Sequence, residues 1–331
     1  MLGTMAATDQ LPAEHRALRE GCGLLDRSER GKLALTGAGA KVFLNGQVTN
    51  DVEALEPGEG VYAAFLNHKG KMLGDLRVLD LGEELSLDTE RATLQELFNL
   101  IRRFRVGYEF ELHKRTMERG LLSLIGPHAR AVAGAADLPE REHVSIRAEV
   151  AGVAVHLVAT DTGVDLICDS AHTASLAAAL AAAGTTPVSE AAAETLRIER
   201  GRPRYGLDMD DATIPQEAGI NDRAVSFTKG CYVGQETVAR LHYRGKPNRH
   251  LRGLRLSAPA ATGAELRLGE KVVGRLGSTA VSPTLGPIAL ALVRREAAVG
   301  DTVSVSEGAT TGEVVELPFA TEALDAGSPE L

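Results

Sequence analysis

The hydrophobic pattern of the sequence changes at Leu251, and this change constrains the fold more than any other feature. Before Leu251, alternating stretches that predict strands are interspersed with stretches of helical spacing, such as Thr93–Phe104. After it, short alternating stretches follow one another between closely spaced Gly and Pro residues, which is typical of a small β-barrel or sandwich. We therefore expect an α+β fold that ends in a small β-barrel.

Composition narrows the class of protein. The 331 residues include seven Phe, five Tyr and no Trp, so the core must consist mainly of Ala, Val, Leu and Ile. The hydrophobic share of 44% excludes a disordered chain, and the net charge of −9 gives the surface no general attraction for nucleic acid or anionic lipid. The three cysteines have no metal-binding spacing, so we expect no metal. Without a secretory signal or an apolar run of about 20 residues, we expect a cytoplasmic protein with no membrane contact.

The stretch from Leu196 to Arg255 is dense in Gly, Pro, charged and aromatic residues, which is typical of exposed turns that carry specific polar groups. Within it, Cys231 comes just before a helix that we expect to begin at Gln235. The positive end of that helix and the Lys229 ammonium both favour a thiolate, so one interpretation is a nucleophilic or redox-active cysteine. The other is a small buried hydrophobic residue.

Two carboxylates are further candidates. Glu199 lies among four arginines, and a carboxylate can accept paired hydrogen bonds from a heterocycle such as a pterin or guanine edge. The alternative for Glu199 is a surface ion pair. Asp75 lies in an expected strand, Met72–Leu81, that follows a hairpin turn at Asn67–Gly70. It is either a general base or substrate clamp, or a side chain that faces water.

A basic stretch from Arg240 to Arg255 contains six Lys or Arg residues and no Asp or Glu. It indicates either a site for a polyanion, such as a polyglutamate tail, a phosphate or RNA, or simply the charged face of a strand pair. Tyr243 is the only aromatic residue in the stretch, which is a weak indication of single-strand stacking.

At these residues the chain resembles a known family. The motif Lys-Gly-Cys-Tyr-Val-Gly-Gln-Glu at residues 229–236 is similar to the signature of the YgfZ-type folate-binding proteins, relatives of the glycine-cleavage T-protein, an aminomethyltransferase. Further blocks resemble the same superfamily: Leu35-Thr36-Gly37, residues 43–52, Asn67-His68-Lys69-Gly70-Lys71 and Glu217-Ala218-Gly219. The resemblance covers most of the chain.

The resemblance implies a three-domain cloverleaf around a central channel that binds tetrahydrofolate. We expect a discontinuous central folate-binding domain at 26–106 and 197–244, a second α+β domain at 1–25 and 107–196, and the barrel at 245–328. By similarity, Glu199 clamps the pterin, Asp75 lies near the reactive folate nitrogen, and Tyr62 and Tyr205 line the cavity. The glutamate tail would lie near basic residues such as Arg240. Lys229 and Cys231 match the pair that is specific to the YgfZ-type branch.

Three functions follow as hypotheses. The first is a tetrahydrofolate-binding protein that supports iron–sulfur cluster assembly or repair, and through it tRNA thiomethylation, with iron–sulfur enzymes or assembly proteins as partners and Cys231, assisted by Lys229, as the reactive group. The second is a folate-dependent one-carbon transferase that uses Asp75. The third is a tRNA-binding accessory protein. The Gly-Gly and Phe-x-Gly-Lys-Glu blocks of true aminomethyltransferases are replaced here, which argues against glycine cleavage, whereas Asp75 is retained.

Overall fold

The computed structural model describes residues 4–306 and 308–320, of which residues 4–9 are described by their backbone alone. The described chain divides into two compact units. The first comprises residues 4–190, 210–215 and 220–245, and the second comprises residues 191–209, 216–219 and 246–320.

The elements up to residue 187 belong to the first unit. They are α1 (Thr4–Glu20), β1 (Gly23–Asp26), β2 (Gly31–Thr36), α2 (Ala40–Asn45), β3 (Gly60–Leu66), β4 (Met72–Asp80), β5 (Leu85–Thr89), α3 (Leu94–Phe104), β6 (Glu111–Lys114), β7 (Arg119–Ile125), α4 (Ala129–Val132), β8 (Ser145–Val150), β9 (Val153–Thr160), β10 (Gly163–Asp169), a 3-10 turn (Ser170–His172), α5 (Thr173–Ala182) and β11 (Thr186–Pro187).

The later elements complete both units. They are α6 (Glu190–Glu199), α7 (Asn221–Ala224), α8 (Gln235–Arg244), β12 (Arg249–Leu256), β13 (Glu265–Leu268), β14 (Lys271–Ser282), β15 (Gly286–Arg294), β16 (Thr302–Val305) and β17 (Thr311–Val315).

The first unit contains a five-stranded antiparallel sheet in the order β3-β4-β5-β2-β6. Buried and half-buried residues alternate along β4 from Met72 to Val78, and the buried face packs against helices α2 and α3. Phe43 and Phe65 are fully buried in this core. The sheet positions the β3–β4 hairpin, which carries two of the residues predicted to form the site.

A six-stranded sheet in the order β11-β1-β7-β10-β9-β8 forms the other half of the first unit. Only the β11–β1 pair is parallel. Five buried aliphatic side chains pack between the two sheets, and these are Leu79, Leu81, Leu121, Val158 and Ile167. Because β4 contributes to this cluster, the β3–β4 hairpin is fixed against the second sheet as well as within its own.

Strands β12–β17 of the second unit close into a six-stranded barrel, which confirms the predicted α+β fold with a C-terminal β-barrel. Helix α6 is tied to the barrel within this unit by Arg197, whose guanidinium donates to Asp208 Oδ2 (3.0 Å) and Ser278 Oγ (2.6 Å). Ser278 in turn donates its backbone N–H and its hydroxyl to Asp208. This buried cluster places Glu199, the last residue of α6, next to strand β14.

None of the helices in the described residues is long and apolar enough to cross a membrane. Among those same residues, no cluster of three or more His, Cys, Asp or Glu side chains is arranged to hold a metal ion. The cytoplasmic location and the three-domain division, with its borders and central channel, stay predictions.

Candidate functional site

Tyr62 and Asp75 meet on the β3–β4 hairpin. In the hairpin register Tyr62 pairs with Arg77, so Asp75, two residues earlier on β4, is its diagonal neighbour on the same face. The Tyr62 hydroxyl donates to Asp75 Oδ2 at 2.6 Å. The two residues that the sequence assigned to different roles therefore form one hydrogen-bonded pair.

Burial controls the protonation of this pair. It raises the pKa of the Asp75 carboxyl above its ordinary value, and the hydrogen bond from Tyr62 opposes that shift only in part. The pKa of Tyr62 lies well above its ordinary value, because of burial and then because of the Asp75 charge. Asp75 therefore holds a proton at a higher pH than an exposed aspartate does, and Tyr62 remains a hydrogen-bond donor.

A chain of buried charges runs behind the pair. Asp88 on β5 accepts from Arg30 Nε (2.8 Å) and Arg77 Nε (2.7 Å), and these two cations hold its pKa well below the ordinary value although burial opposes them. Arg77 also donates through Nη1 to Asp165 Oδ2 on β10 at 2.6 Å. Ser123 on β7 donates to the other oxygen of Asp165. This chain links the two sheets of the first unit.

Arg223 of helix α7 covers the Tyr62 ring. Its guanidinium carbon lies 5.1 Å from the ring centroid, which is cation–π distance, and its Nη2 donates to Glu142 Oε1 at 2.5 Å. Tyr62, Arg77 and Arg223 line a cavity of ≈ 200 Å³ in the first unit. The cavity wall also includes Arg27, Arg30, Ser123, Glu142, His143, Asp161 and Asp165.

Lys229 points into the protein. Only 9% of the residue is exposed, and its Nζ donates to the backbone carbonyls of Asn45 (2.5 Å), Val48 (2.9 Å) and Asn50 (2.8 Å). Burial lowers the pKa of Lys229 to about 8. These three bonds use all three ammonium donors, so Lys229 fixes the segment 45–50 and has no further proton to donate to Cys231. Its predicted assistance to Cys231 stays a prediction.

Cys231 is exposed, unlike the other two cysteines. It precedes α8, which begins at Gln235 as the sequence predicts. The turn between them passes through Gly234, whose φ of +85° is unfavourable for any residue with a side chain. A Cβ at Gly234 would also lie 2.6 Å from the Asn67 carbonyl oxygen. The loop that carries Cys231 therefore packs directly on the β3–β4 turn.

Two of the other cofactor-binding candidates, Glu199 and Tyr205, lie in the second unit. Glu199 is 4% exposed, and its Oε1 accepts a hydrogen bond of 2.5 Å from Ser282 Oγ. Glu199 is therefore a buried hydrogen-bond acceptor, and it does not lie on the surface. Tyr205 is half-buried and forms an isolated bridge with Met209.

The basic stretch is only partly available to a ligand. Arg240 and Arg244 are exposed on α8, in the first unit. Arg249 is paired with Glu217 (2.8 Å) and Arg252 with Glu316 (3.3 Å). Tyr243 is exposed beside His242, which stacks on Phe227 with 3.7 Å between ring centroids. RNA binding here stays a prediction.

The structure thus brings Tyr62 together with Asp75, and it directs Lys229 inward and Cys231 outward from the same loop. Sequence reasoning missed Arg77, Asp88, Asp165 and Arg223. The first three share one signal, a charged residue inside an otherwise apolar strand, which requires a partner when it is buried.

Two family models match the chain. The model of the GCVT N-terminal domain matches residues 4–229, and that of the glycine cleavage T-protein C-terminal barrel domain matches residues 249–320. The second match coincides with the barrel β12–β17.

Individual relatives and a solved structure agree with these matches. Over 321 residues the chain is 31% identical to an aminomethyltransferase of Rubrobacter xylanophilus, covering 93% of this chain and 86% of the relative. It is also 31% identical to an aminomethyltransferase of Streptomyces avermitilis, covering 92% and 88%. The crystal structure of the glycine cleavage system aminomethyltransferase T from Bartonella henselae superimposes with a TM-score of 0.82 at 26% identity, covering 94% and 89%.

Replacing Lys229 tests the anchoring of segment 45–50. We expect Lys229→Met to lower the free energy of unfolding by about 2–4 kcal/mol, because three buried carbonyls lose their donor. Chemical denaturation measures the change. Lys69→Met, at an exposed lysine on the neighbouring turn, is the control and should change stability by less than about 0.5 kcal/mol. Equal stability of the two variants would show that the anchor contributes nothing.

Proposed function

From the premise that the chain belongs to the glycine-cleavage T-protein family, we propose that it binds tetrahydrofolate and transfers to it the methylene carbon of an aminomethyl donor, with release of ammonia and of the protonated donor group and no change in oxidation level. The names of the relatives support a folate-dependent transferase. The observation that carries the proposal is the Tyr62–Asp75 pair, in which a carboxyl whose pKa is raised by burial lies 2.6 Å from a phenol that lines a cavity.

Glu199 and Asp75, each taken by itself, suit two different parts of a folate. Tetrahydrofolate supplies a secondary amine nitrogen that accepts the one-carbon unit and a pterin edge with adjacent N–H groups. A buried carboxylate such as Glu199 is suited to accept from that edge, and Asp75 is suited to receive or return the proton of an amine. Tyr62 holds Asp75 in one orientation through its hydrogen bond.

The chemistry assigned to this chain is a proton transfer at Asp75 Oδ1, because Oδ2 is engaged by Tyr62. The raised pKa of Asp75 brings its titration closer to neutral pH, which favours both gain and loss of a proton during turnover. Arg223 stacked on Tyr62 limits the access of water to the phenol. The pair therefore provides an acid–base group, Asp75, behind the phenol of Tyr62 that lines the cavity.

Folate binding is tested by calorimetric titration. We expect wild type to bind tetrahydrofolate and Glu199→Gln to bind it about 10- to 100-fold more weakly, which is the loss of a charge-assisted acceptor. The amide keeps an oxygen for the Ser282 hydroxyl. Glu236→Gln, at an exposed carboxylate in the first turn of α8, is the control and should bind as wild type does. If titration of wild type with tetrahydrofolate gives no binding heat, the proposed folate binding is wrong.

Catalysis is tested at Asp75. The Asp75→Asn variant retains an acceptor for the Tyr62 hydroxyl but cannot take up a proton, so we expect the transfer of the methylene carbon from an aminomethyl donor to tetrahydrofolate to slow by at least about 100-fold. Tetrahydrofolate affinity should change little. Formation of the one-carbon adduct, followed by mass spectrometry, measures the rate.

The Asp75→Asn substitution should not lower the free energy of unfolding, although it lowers activity. Because the folded-state pKa of Asp75 lies above that of the unfolded chain, ionisation of Asp75 disfavours folding. The penalty is absent below the unfolded pKa and develops as the pH rises through the folded pKa. Asp75→Asn is then at least as stable as wild type at neutral pH, and lost activity together with lost stability would mean that the variant is simply misfolded.

A second candidate function rests on Cys231. It is the one exposed cysteine of the three, on a glycine-bounded loop within the YgfZ-like motif. We propose as this alternative that the protein supports iron–sulfur enzymes through that thiol, in line with the resemblance. Exposure gives the thiol access to a macromolecular partner, which the cavity does not offer.

Two variants separate the functions. In cells that lack their own copy, Cys231→Ala should fail to restore iron–sulfur enzyme activities if the thiol is the working group, while it leaves one-carbon transfer in vitro unchanged. Asp75→Asn should give the reverse pattern. Full restoration by Cys231→Ala would exclude the iron–sulfur role for this thiol.

A further inference from the structure

Asn50 lies at a junction between the Cys231 loop and the Tyr62–Asp75 pair. It belongs to the segment after α2, which has no regular secondary structure at this point. Its side-chain amide donates to the backbone carbonyls of Tyr62 (2.9 Å) and Arg223 (3.0 Å). One NH2 group therefore joins strand β3 to helix α7.

Two further hydrogen bonds fix the backbone and the side chain of Asn50 itself. Lys229 Nζ donates to the Asn50 carbonyl at 2.8 Å, and the Asp51 N–H donates to Asn50 Oδ1 at 2.9 Å. The second bond fixes the amide group, so that the NH2 must point toward the two carbonyls. Asn50 thus has every polar side-chain group engaged.

Thr49 repeats the same connection one residue earlier. It is fully buried, its hydroxyl donates to the Ala224 carbonyl at 2.6 Å, and it accepts from the Ala64 N–H at 2.9 Å. Two successive residues therefore set the distance between β3 and α7, the two elements that carry Tyr62 and Arg223.

That distance determines how Arg223 lies on Tyr62. The guanidinium is 5.1 Å from the ring centroid, and the phenol it covers donates to Asp75. A small shift of α7 relative to β3 would uncover the ring or turn the hydroxyl from Asp75. Misplacement of a reacting group by about 1 Å costs as much as 100-fold in rate.

We propose that Asn50, held by Lys229, is a positioning residue that sets Tyr62 and Arg223 around Asp75. The catalytic part of this inference rests on the proposed transferase function, whereas the positioning itself does not. The role requires a side chain as long as asparagine with two N–H donors. Aspartate would place a negative charge against the two carbonyl oxygens, and alanine would leave both carbonyls without a donor. Lys229 then acts on the Tyr62–Asp75 pair through Asn50.

The experiment compares Asn50→Asp and Asn50→Ala with Asn99→Asp, an exposed asparagine on α3. Each protein is labelled with 3-fluorotyrosine, which gives at most five ¹⁹F signals because the chain has five tyrosines. Tyr62→Phe assigns the Tyr62 signal. Thermal unfolding identifies the variants that are folded.

We expect both Asn50 variants to shift the Tyr62 signal while the Asn99→Asp spectrum stays that of wild type. Where wild type turns over, kcat should fall about 10- to 100-fold in Asn50→Asp with less than a threefold change in the KM for tetrahydrofolate. An unmoved Tyr62 signal in a folded Asn50 variant overturns the proposal. Absence of turnover in wild type counts against the transferase alone, because the ¹⁹F comparison still decides the positioning.

Discussion

The buried guanidinium of Arg77 determines the arrangement of the first unit. Its side chain is 14% exposed, and it is bonded to Asp88 in its own sheet and to Asp165 in the other. A buried cation that loses a partner leaves a charge uncompensated, at a cost of about 3–5 kcal/mol, so neither sheet can shift without breaking the pair. Because Tyr62 lies directly across the hairpin from Arg77, the cavity and its acid–base pair depend on the same constraint.

Regular patterns allowed the sequence to predict much of the fold. The strands on either side of the Asn67–Gly70 turn, the start of α8 at Gln235 and the C-terminal barrel all follow from alternation, glycine placement and helical spacing. The contact between Tyr62 and Asp75 could not be predicted in this way. A register shift between Phe65 and Leu66 determines which side chains face each other across the β3–β4 hairpin, and the sequence pattern does not predict this shift. The partner of Arg77 on β10 is 88 residues away, so only the packing of the two sheets brings it close.

Lys229 and Cys231 show how a short motif combines two environments. Gly230 separates them, and the chain turns so that one side chain is buried against three carbonyls while the other is exposed. Proximity in sequence suggested that the cation activates the thiol. In the structure the Lys229 ammonium donates to backbone carbonyls. One of them is the Asn50 carbonyl, and the Asn50 side chain in turn donates to the Tyr62 carbonyl. The motif therefore combines a buried anchor with an exposed thiol, and the assistance of Cys231 by Lys229 stays a prediction.

Cys231 is exposed whereas the other two cysteines are buried, so it is a natural site for attaching a label. Cys22 and Cys168 are buried, and burial raises the pKa of both, that of Cys22 to about 11. A thiol reagent applied at neutral pH to the folded protein will therefore react first at the exposed Cys231. A dye or spin label attached there reports from the loop that is anchored by Lys229. The label can thus be attached without any substitution in the sequence.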